Sequence, residues 1–450
     1  MAARKVVVSG SRSRTAAGRR AKPQPNGRTR VSTDAQPGVG LISIRMYRVG
    51  FGDCFLVSLP VNGGERRHIL VDCGVHARGD IGSIDRVIDD IAAETKRKLA
   101  IVIATHAHQD HISGFGKRAD VFSTFEVGEV WLPWTWDPNN PDAVKLQAKH
   151  AALAAALNDH FQAAKALAPA GSIAAAAADA VVNLSGNARA IDLLIKGFGV
   201  GAKVRFLKAG DSLGDPAGVT GLSVKVLGPP QSPEFLAQMD PPAGQHYLRA
   251  AATGGDDGAR AEPFAARWKI DPATGDAMTR LSEADRISLE AAASSPPEEL
   301  AFALDQARNN ESVVVLLSYR GKNLLFAGDA QYGNWRWWLD NEKPDQILPE
   351  VGFFKVAHHG SVNATPKDAL ERMTDGGFAA MVSTQGTPWP SIPRVPLMQR
   401  LSEKTKQKLV RSDWLPVKGA PTPATDSLPR APAGPPAGFA QGALWFDCPL

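Results

Sequence analysis

Four potential metal ligands, His106, His108, Asp110 and His111, fall within six positions in the run THAHQDH. Imidazole nitrogens and carboxylate oxygens are good donors to zinc-like divalent cations. Residues two apart in extended chain face the same side, so His106 and His108 can share one ion. Asp110 and His111, on the turn that follows, can serve a second. The whole chain has only ten histidines, so this concentration is not background. The same residue types recur directly after other apolar runs: Asp72 after HILV, Asp329 after LLFAG, and His358 with His359 after FFKVA. Two close cations held in this way lower the pKa of a shared water and polarise a phosphoryl or carbonyl oxygen, so the chemistry indicated is hydrolysis. Asp72 reads either as a loop carboxylate or as an anchor that orients the histidine loop from behind.

Such a site needs several strand ends brought to one sheet edge, where α/β active sites commonly form. The pattern supplies them. LISIRMYRVG, CFLVSLP and RHILVDCG read as strands, and Ile84, Val87, Ile88 and Ile91 recur at helical spacing in a helix over 84–98. LAIVIAT is a buried strand running straight into the histidine motif. KVRFLKAG and LSVKVLGPP read as a strand pair, SVVVLLSYRGKNLLFAGDA as a strand–turn–strand, VGFFKVA and GFAAMVST as further strands, and ALWFDCPL as an edge strand. Strand–helix–strand order with polar loops at the strand ends is an α/β signature. Residues 1–38 read as a disordered basic tail and residues 39–450 as one domain. Insertions interrupt the domain at about 137–200, where Ala-rich segments form two or three helices, and at about 229–307, where Ser282 caps the helix SEADRISLEAAA. A Pro-rich segment covers 415–440.

The series ILVDCG, THAHQDH, LLFAGDA and KVAHHGS resembles the metallo-β-lactamase fold superfamily. RVGFGDCFLV, RNNESVVVLL and AHHGS are similar, in detail, to the hydrolase domain of ComEC-type competence proteins and their soluble relatives. The resemblance covers roughly 40–135, 203–230 and 307–415, and it implies a four-layer αβ/βα sandwich carrying two helical and loop insertions. It also implies a ligand set: His106 and His108 for a first metal, Asp110, His111 and His359 for a second, and Asp329 as the bridging carboxylate. Asp110 and His358 take catalytic roles, His358 by contacting substrate or assisting the leaving group. The cofactors expected are two divalent ions, zinc first, with manganese or iron as alternatives. One departure matters: many members carry a further ligand in a Gly-His motif that is absent here, so the first site is expected to bind weakly or fill only in part. His150, His160 and His246 read as ordinary surface or packing residues.

The reaction expected is metal-assisted hydrolysis of a phosphodiester, as in a nuclease or phosphodiesterase. The alternatives are a small-molecule ester or amide hydrolase with a Trp-lined pocket, and a non-catalytic metal-binding module. Trp131, Trp134 and Trp136 in WLPWTW and Trp335, Trp337 and Trp338 in NWRWW could grip a ring or could simply be packing. Lys322 and Lys355 could stabilise an anionic substrate. Nucleic acid is a candidate partner, supported by nine basic residues against one acid in the tail and opposed by a body with 42 basic and 45 acidic residues. Cys54, Cys73 and Cys448 make no disulfide framework, and no apolar run is long enough for a membrane span or a secretory signal. The expected location is therefore cytoplasmic, with an Arg- and Ser-rich organelle transit peptide as the alternative reading of the tail.

Overall fold

The computed structural model describes residues 40–164, 187–247, 297–414 and 435–450 together with Ala177 and Val181, apart from positions 78, 80, 200, 243, 387, 388, 390 and 391 within those spans. The tail 1–38, the run SEADRISLEAAA with Ser282, and most of the Pro-rich segment lie outside the described residues.

Two sheets form the frame. The first contains β1 (Ser43–Tyr47), β2 (Cys54–Pro60), β3 (Arg66–Cys73), β4 (Lys98–Ile103), β5 (Glu126–Pro133), β6 (Lys203–Leu207), β14 (Ala440–Gln441) and β15 (Trp445–Pro449), in the order β14-β15-β1-β2-β3-β4-β5-β6. The second contains β7 (Ser212–Gly214), β8 (Leu222–Gly228), β9 (Val314–Tyr319), β10 (Lys322–Phe326), β11 (Val351–Lys355), β12 (Ala379–Val382) and β13 (Leu409–Arg411), in the order β13-β12-β11-β10-β9-β8-β7. Each sheet is antiparallel on one side and parallel on the other, through β3-β4-β5-β6 and β10-β11-β12-β13. Arg320 and Gly321 close the β9–β10 hairpin, both at positive φ (48° and 72°), the backbone of a tight two-residue turn.

Alternation explains the layering, because successive strand side chains point to opposite faces. Ile69, Val71, Ile101 and Ile103 from the first sheet meet Val224, Val315, Leu317 and Phe326 from the second in the inner core. The residues between them face outward. Leu70 and Val102 pack against α1 (Ile84–Thr95) and α2 (Gln109–Lys117), through Val87, Ile88, Ile112 and Phe115. The other α-helices longer than four residues among the described residues are α3 (Pro141–Ala164), α4 (Ala188–Ile195), α5 (Pro297–Asn310), α6 (Tyr332–Asn341), α7 (Lys367–Arg372) and α8 (Val395–Lys404). On the far side, Leu316, Leu325 and Phe354 pack against Trp335 and Trp338 of α6, Leu370 of α7 and Leu401 of α8. The result is the expected sandwich of helix, sheet, sheet and helix layers.

The expected strand pair does not form. β6 closes the edge of the first sheet beside β5, whereas β8 joins β7 and β9 in the second. Apolar patterning identifies each run as a strand but does not name its neighbour. β15 is likewise not an edge strand: it sits between β1 and the two-residue β14. The insertions pack on one another, with Leu157 and Phe161 of α3 against Leu304 of α5. Cys54, Cys73 and Cys448 are free and buried. Among the described residues no helix is long and apolar enough to cross a membrane.

Candidate metal centre

β3 and β4 from one sheet and β10 and β11 from the other end at a common edge, with Asp72 at the penultimate position of β3 and potential ligands following the other three. β4 ends at Ile103, and α2 begins at Gln109, so Asp110 and His111 lie in the first helical turn. An anion is favoured there by the free amide hydrogens of the helix start. Close approach at Gly74 sets the depth of this turn: a Cβ on Gly74 would lie 2.4 Å from the His111 nitrogen. After β11, His358 and His359 both take left-handed backbone (φ 46° and 54°), and Asp72 does so too (φ 55°). Such conformations cost non-glycine residues free energy and persist where the surroundings enforce them, commonly at functional sites.

The second-metal set comes together. Donor atoms of Asp110, His111, Asp329 and His359 all lie within 4.8 Å of one another, and all four residues are buried. His359 Nε2 is 3.1 Å from Asp110 Oδ2 and 3.2 Å from Asp329 Oδ2, and His111 Nε2 is 3.0 Å from Asp329 Oδ2. The far nitrogens are anchored. His111 Nδ1 donates to Asp72 Oδ2 at 2.8 Å, and His359 Nδ1 donates to the Ser383 carbonyl at 2.8 Å. Both rings therefore present Nε2 to the cluster, the arrangement that fixes an imidazole as a ligand. Asp72 also accepts from the Thr105 backbone and hydroxyl (2.8 and 2.7 Å), which places it behind the histidine loop as an anchor.

His106 and His108 stand beside this cluster. His106 Nε2 and His108 Nδ1 face each other at 3.0 Å, so one ring can donate to the other or both can turn to a cation. No further histidine completes a first site among these residues. The outer nitrogen of His108 instead lies 3.5 Å from Asp305 Oδ1, on the helix supplied by the second insertion. His358, partly exposed, has Nε2 3.3 Å from Asn309 Nδ2 and Nδ1 3.3 Å from Asn363 Oδ1. It lines a cavity of about 150 Å³ with Phe51, His108, Asp110, Asn309, Asp329 and Trp389 among others.

The electrostatics divide the histidines. Burial, with His111 and His108 adding to it, lowers the His106 pKa well below its usual value. Burial likewise takes His108 down to about 3 and lowers His358. For His359, burial disfavours the charged form, but Asp329 and Asp110 overcome it and raise the pKa to about 10. His111 is raised in the same way, against burial, by Asp329, Asp72 and Asp110. Asp110 and Asp329 are pushed up by burial but held well below the carboxylate range by His111 and His359.

Sequence reasoning assigned no role to Asp53, yet it is 1% exposed and ion-paired with Lys355 Nζ. Lys355 also reaches Asp329 Oδ1 at 3.3 Å and donates to the Gly328 carbonyl at 2.8 Å. This ammonium is buried behind the cluster and does not line the cavity, and Lys322 is exposed at the opposite end of β10. Both lysines thus depart from the expected substrate-facing role. An aspartate inside an otherwise apolar strand approach, FGDCFLV, was the available signal for Asp53. The tryptophan expectation also fails at this cavity: Trp131, Trp335 and Trp338 are fully buried packing residues, and Trp134 and Trp136 are nearly so. The tryptophan that lines the cavity is Trp389.

Residues 47–200 match the family model for the metallo-beta-lactamase superfamily. The chain carries a metallo-beta-lactamase superfamily domain. The histidine motif, its strand and the anchor Asp72 all lie inside the matched stretch of that domain, while Asp329 and His359 come from outside it. The chain is also similar to Ribonuclease J of Sinorhizobium meliloti (strain Sm2011 / Rm2011 / 2011), 36% identical over 101 residues. That alignment takes in 22% of this chain and 16% of the relative.

Proposed function

We propose that the chain is a metal-dependent hydrolase acting on phosphodiesters. The observation that carries this reading is the buried convergence of Asp110, His111, Asp329 and His359, opening to a cavity lined by Asp110, Asp329 and His358. The donor set suits a divalent cation. Four buried carboxyl groups, Asp53, Asp72, Asp110 and Asp329, gather around a single buried ammonium, and two imidazoles point anchored Nε2 atoms inward. Asp110, His111 and His359 would hold one ion and His106 and His108 a second, with Asp329 placed beside both groups. Histidine-rich ligation favours zinc, with manganese or iron as alternatives. The first site is the weaker, being one histidine short.

Divalent cations so held polarise a phosphoryl oxygen and make hydroxide available near neutral pH. The side chains do the rest. Asp72 and Ser383 fix the rings of His111 and His359, and Lys355 fixes Asp329. Asp110, held ionised by His111 and His359, orients the attacking water, whose proton leaves to solvent. His358 is neutral because its pKa is lowered; its Nδ1–H is held by Asn363 Oδ1 and its Nε2 lies beside Asn309 Nδ2, so the ring positions substrate while solvent returns a proton to the departing oxygen. A phosphodiester is favoured over a carboxylic ester by the relative named a ribonuclease and by the ComEC-type motifs GFGDC, RNNES and AHHGS. Nucleic acid is the natural source of such a bond.

Stripping the protein with a chelator and reloading zinc or manganese tests this. Hydrolysis of bis-p-nitrophenyl phosphate should vanish on stripping and return on reloading. Turnover of p-nitrophenyl acetate alone, or turnover indifferent to the chelator, would contradict the proposal.

A further inference from the structure

The cavity beside the metal centre has two unlike walls. One is aromatic and apolar: Phe51, Trp389 and Ile392. Phe51 packs on the His359 ring with centroids 4.2 Å apart and on Trp389 at 4.8 Å, and His76 meets Trp389 at 5.0 Å. The aromatic wall therefore runs continuously from His359 to a tryptophan that is partly exposed. The other wall is polar, formed by Gln306, Asn309, Ser361 and Asn363. Asn309 is 1% exposed. Its Nδ2 faces His358, and its Oδ1 has no hydrogen-bond partner among the described residues. A buried amide oxygen without a donor costs free energy that a ligand N–H would recover.

We infer that this cavity is a stacking subsite for a nucleobase joined to the scissile phosphodiester, with Trp389 and Phe51 as the platform and Asn309 Oδ1 accepting from the base edge. The inference rests on the phosphodiesterase reading and adds the substrate class to it. A slot of about 150 Å³ takes one flat ring and not a duplex. Every base has a π-face, so stacking gives affinity without strong sequence preference, and an accepting amide oxygen suits the amino or imide N–H groups of a base. Contact between Phe51 and His359 puts the stacked ring next to the metal centre, as a nucleotide adjoining the cleaved bond requires.

The test compares two p-nitrophenyl phosphodiesters on the full-length, metal-loaded protein: the thymidine 5′-ester and the methyl ester. The expected ratio of kcat/KM in favour of the thymidine ester is roughly ten- to a hundredfold, the range that base stacking supplies. Trp389→Ala should collapse that ratio, and Trp389→Phe should restore most of it, which a purely structural role would not do. AMP should likewise bind more tightly than ribose 5-phosphate by calorimetry, and Trp389→Ala should erase the difference. Turnover of both esters at equal efficiency, or a ratio untouched by Trp389→Ala, overturns the stacking subsite and leaves phosphodiester hydrolysis standing. If neither ester is hydrolysed, the phosphodiesterase reading fails. The calorimetric preference for AMP, and its loss in Trp389→Ala, then decides the subsite alone.

Discussion

At the scale of single residues, three of the proposed ligands have an anchoring partner: His111 has Asp72, His359 has the Ser383 carbonyl and Asp329 has Lys355. Asp72 is not one of the four clustered residues, yet by accepting from His111 Nδ1 its Oδ2 sets which nitrogen His111 offers. Asp72→Ala should therefore weaken metal binding by about ten- to a hundredfold with little loss of secondary structure, measured by competition with a chromophoric chelator. Lys355 is the sole ammonium facing Asp53 and Asp329 in the core. Lys355→Met leaves buried carboxylates without their counter-charge and should cost about 3–5 kcal/mol in urea unfolding of the metal-free protein. Lys355→Met with Asp53→Asn should recover part of that loss. If Lys355→Met unfolds at the wild-type midpoint, the pair is not what keeps Asp329 in place.

At the scale of elements, β2 and β3 carry a buried titratable histidine hydrogen-bonded to a serine. His68 lies across from Ser58 and contacts its hydroxyl at 2.9 Å. Burial, together with Arg66 and Arg45, takes its pKa down to about 4 from an ordinary value of 6.5. The unfolded chain thus takes up a proton near pH 6.5 that the folded chain resists until about pH 4. Stability from this group is complete above pH 6.5 and is lost as the pH falls towards 4, by up to about 3 kcal/mol at 1.36 kcal/mol per unit. His68→Gln should flatten that limb in urea titrations at pH 7 and pH 4.5; an unchanged slope would remove His68 as its source. The element scale is also where the sequence was most and least informative. The runs ending in Asp72, His106, Asp329 and His358 are apolar and sharply bounded, so these strands and the sheet edge to which they deliver Asp and His are legible from the sequence. Pairing was not: KVRFLKAG and LSVKVLGPP look alike, yet they close different sheets, because alternation reports a buried face and not a neighbour. Trp389 was missed because the signal sought was tryptophan clustering, and clustered tryptophans such as Trp335 and Trp338 pack together in the core.

At the scale of the whole molecule, the short motif Asn309-Asn310-Glu311-Ser312 ties both insertions to the centre. Asn309 faces His358, Asn310 donates to carbonyls of Phe235, Leu236 and Gln238, and Ser312 Oγ accepts from the Asp329 backbone. Glu311, buried, accepts from Thr135 at 2.7 Å and from Gln147 at 3.2 Å and pairs with His150 at 3.0 Å, which binds α3 to α5. Here the expectation that His150 is a packing residue holds, and its partner is a buried carboxylate. Glu311→Ala should leave His150 and Arg308 facing an empty site, lower stability by about 3 kcal/mol and open α3 to limited proteolysis. Proteolysis at the wild-type rate would mean the insertions do not depend on this hub. All of these contacts converge on one claim, that a buried cluster from two sheets binds divalent metal and uses it for hydrolysis. The most direct measurement is metal content by elemental analysis of the wild type beside Asp329→Ala, each assayed on bis-p-nitrophenyl phosphate. On that claim, between one and two metals per wild-type chain are expected, with turnover, and both metal and turnover are expected to be lost in Asp329→Ala. No metal in the wild type after reconstitution, or turnover that survives in a metal-free Asp329→Ala protein, would contradict it.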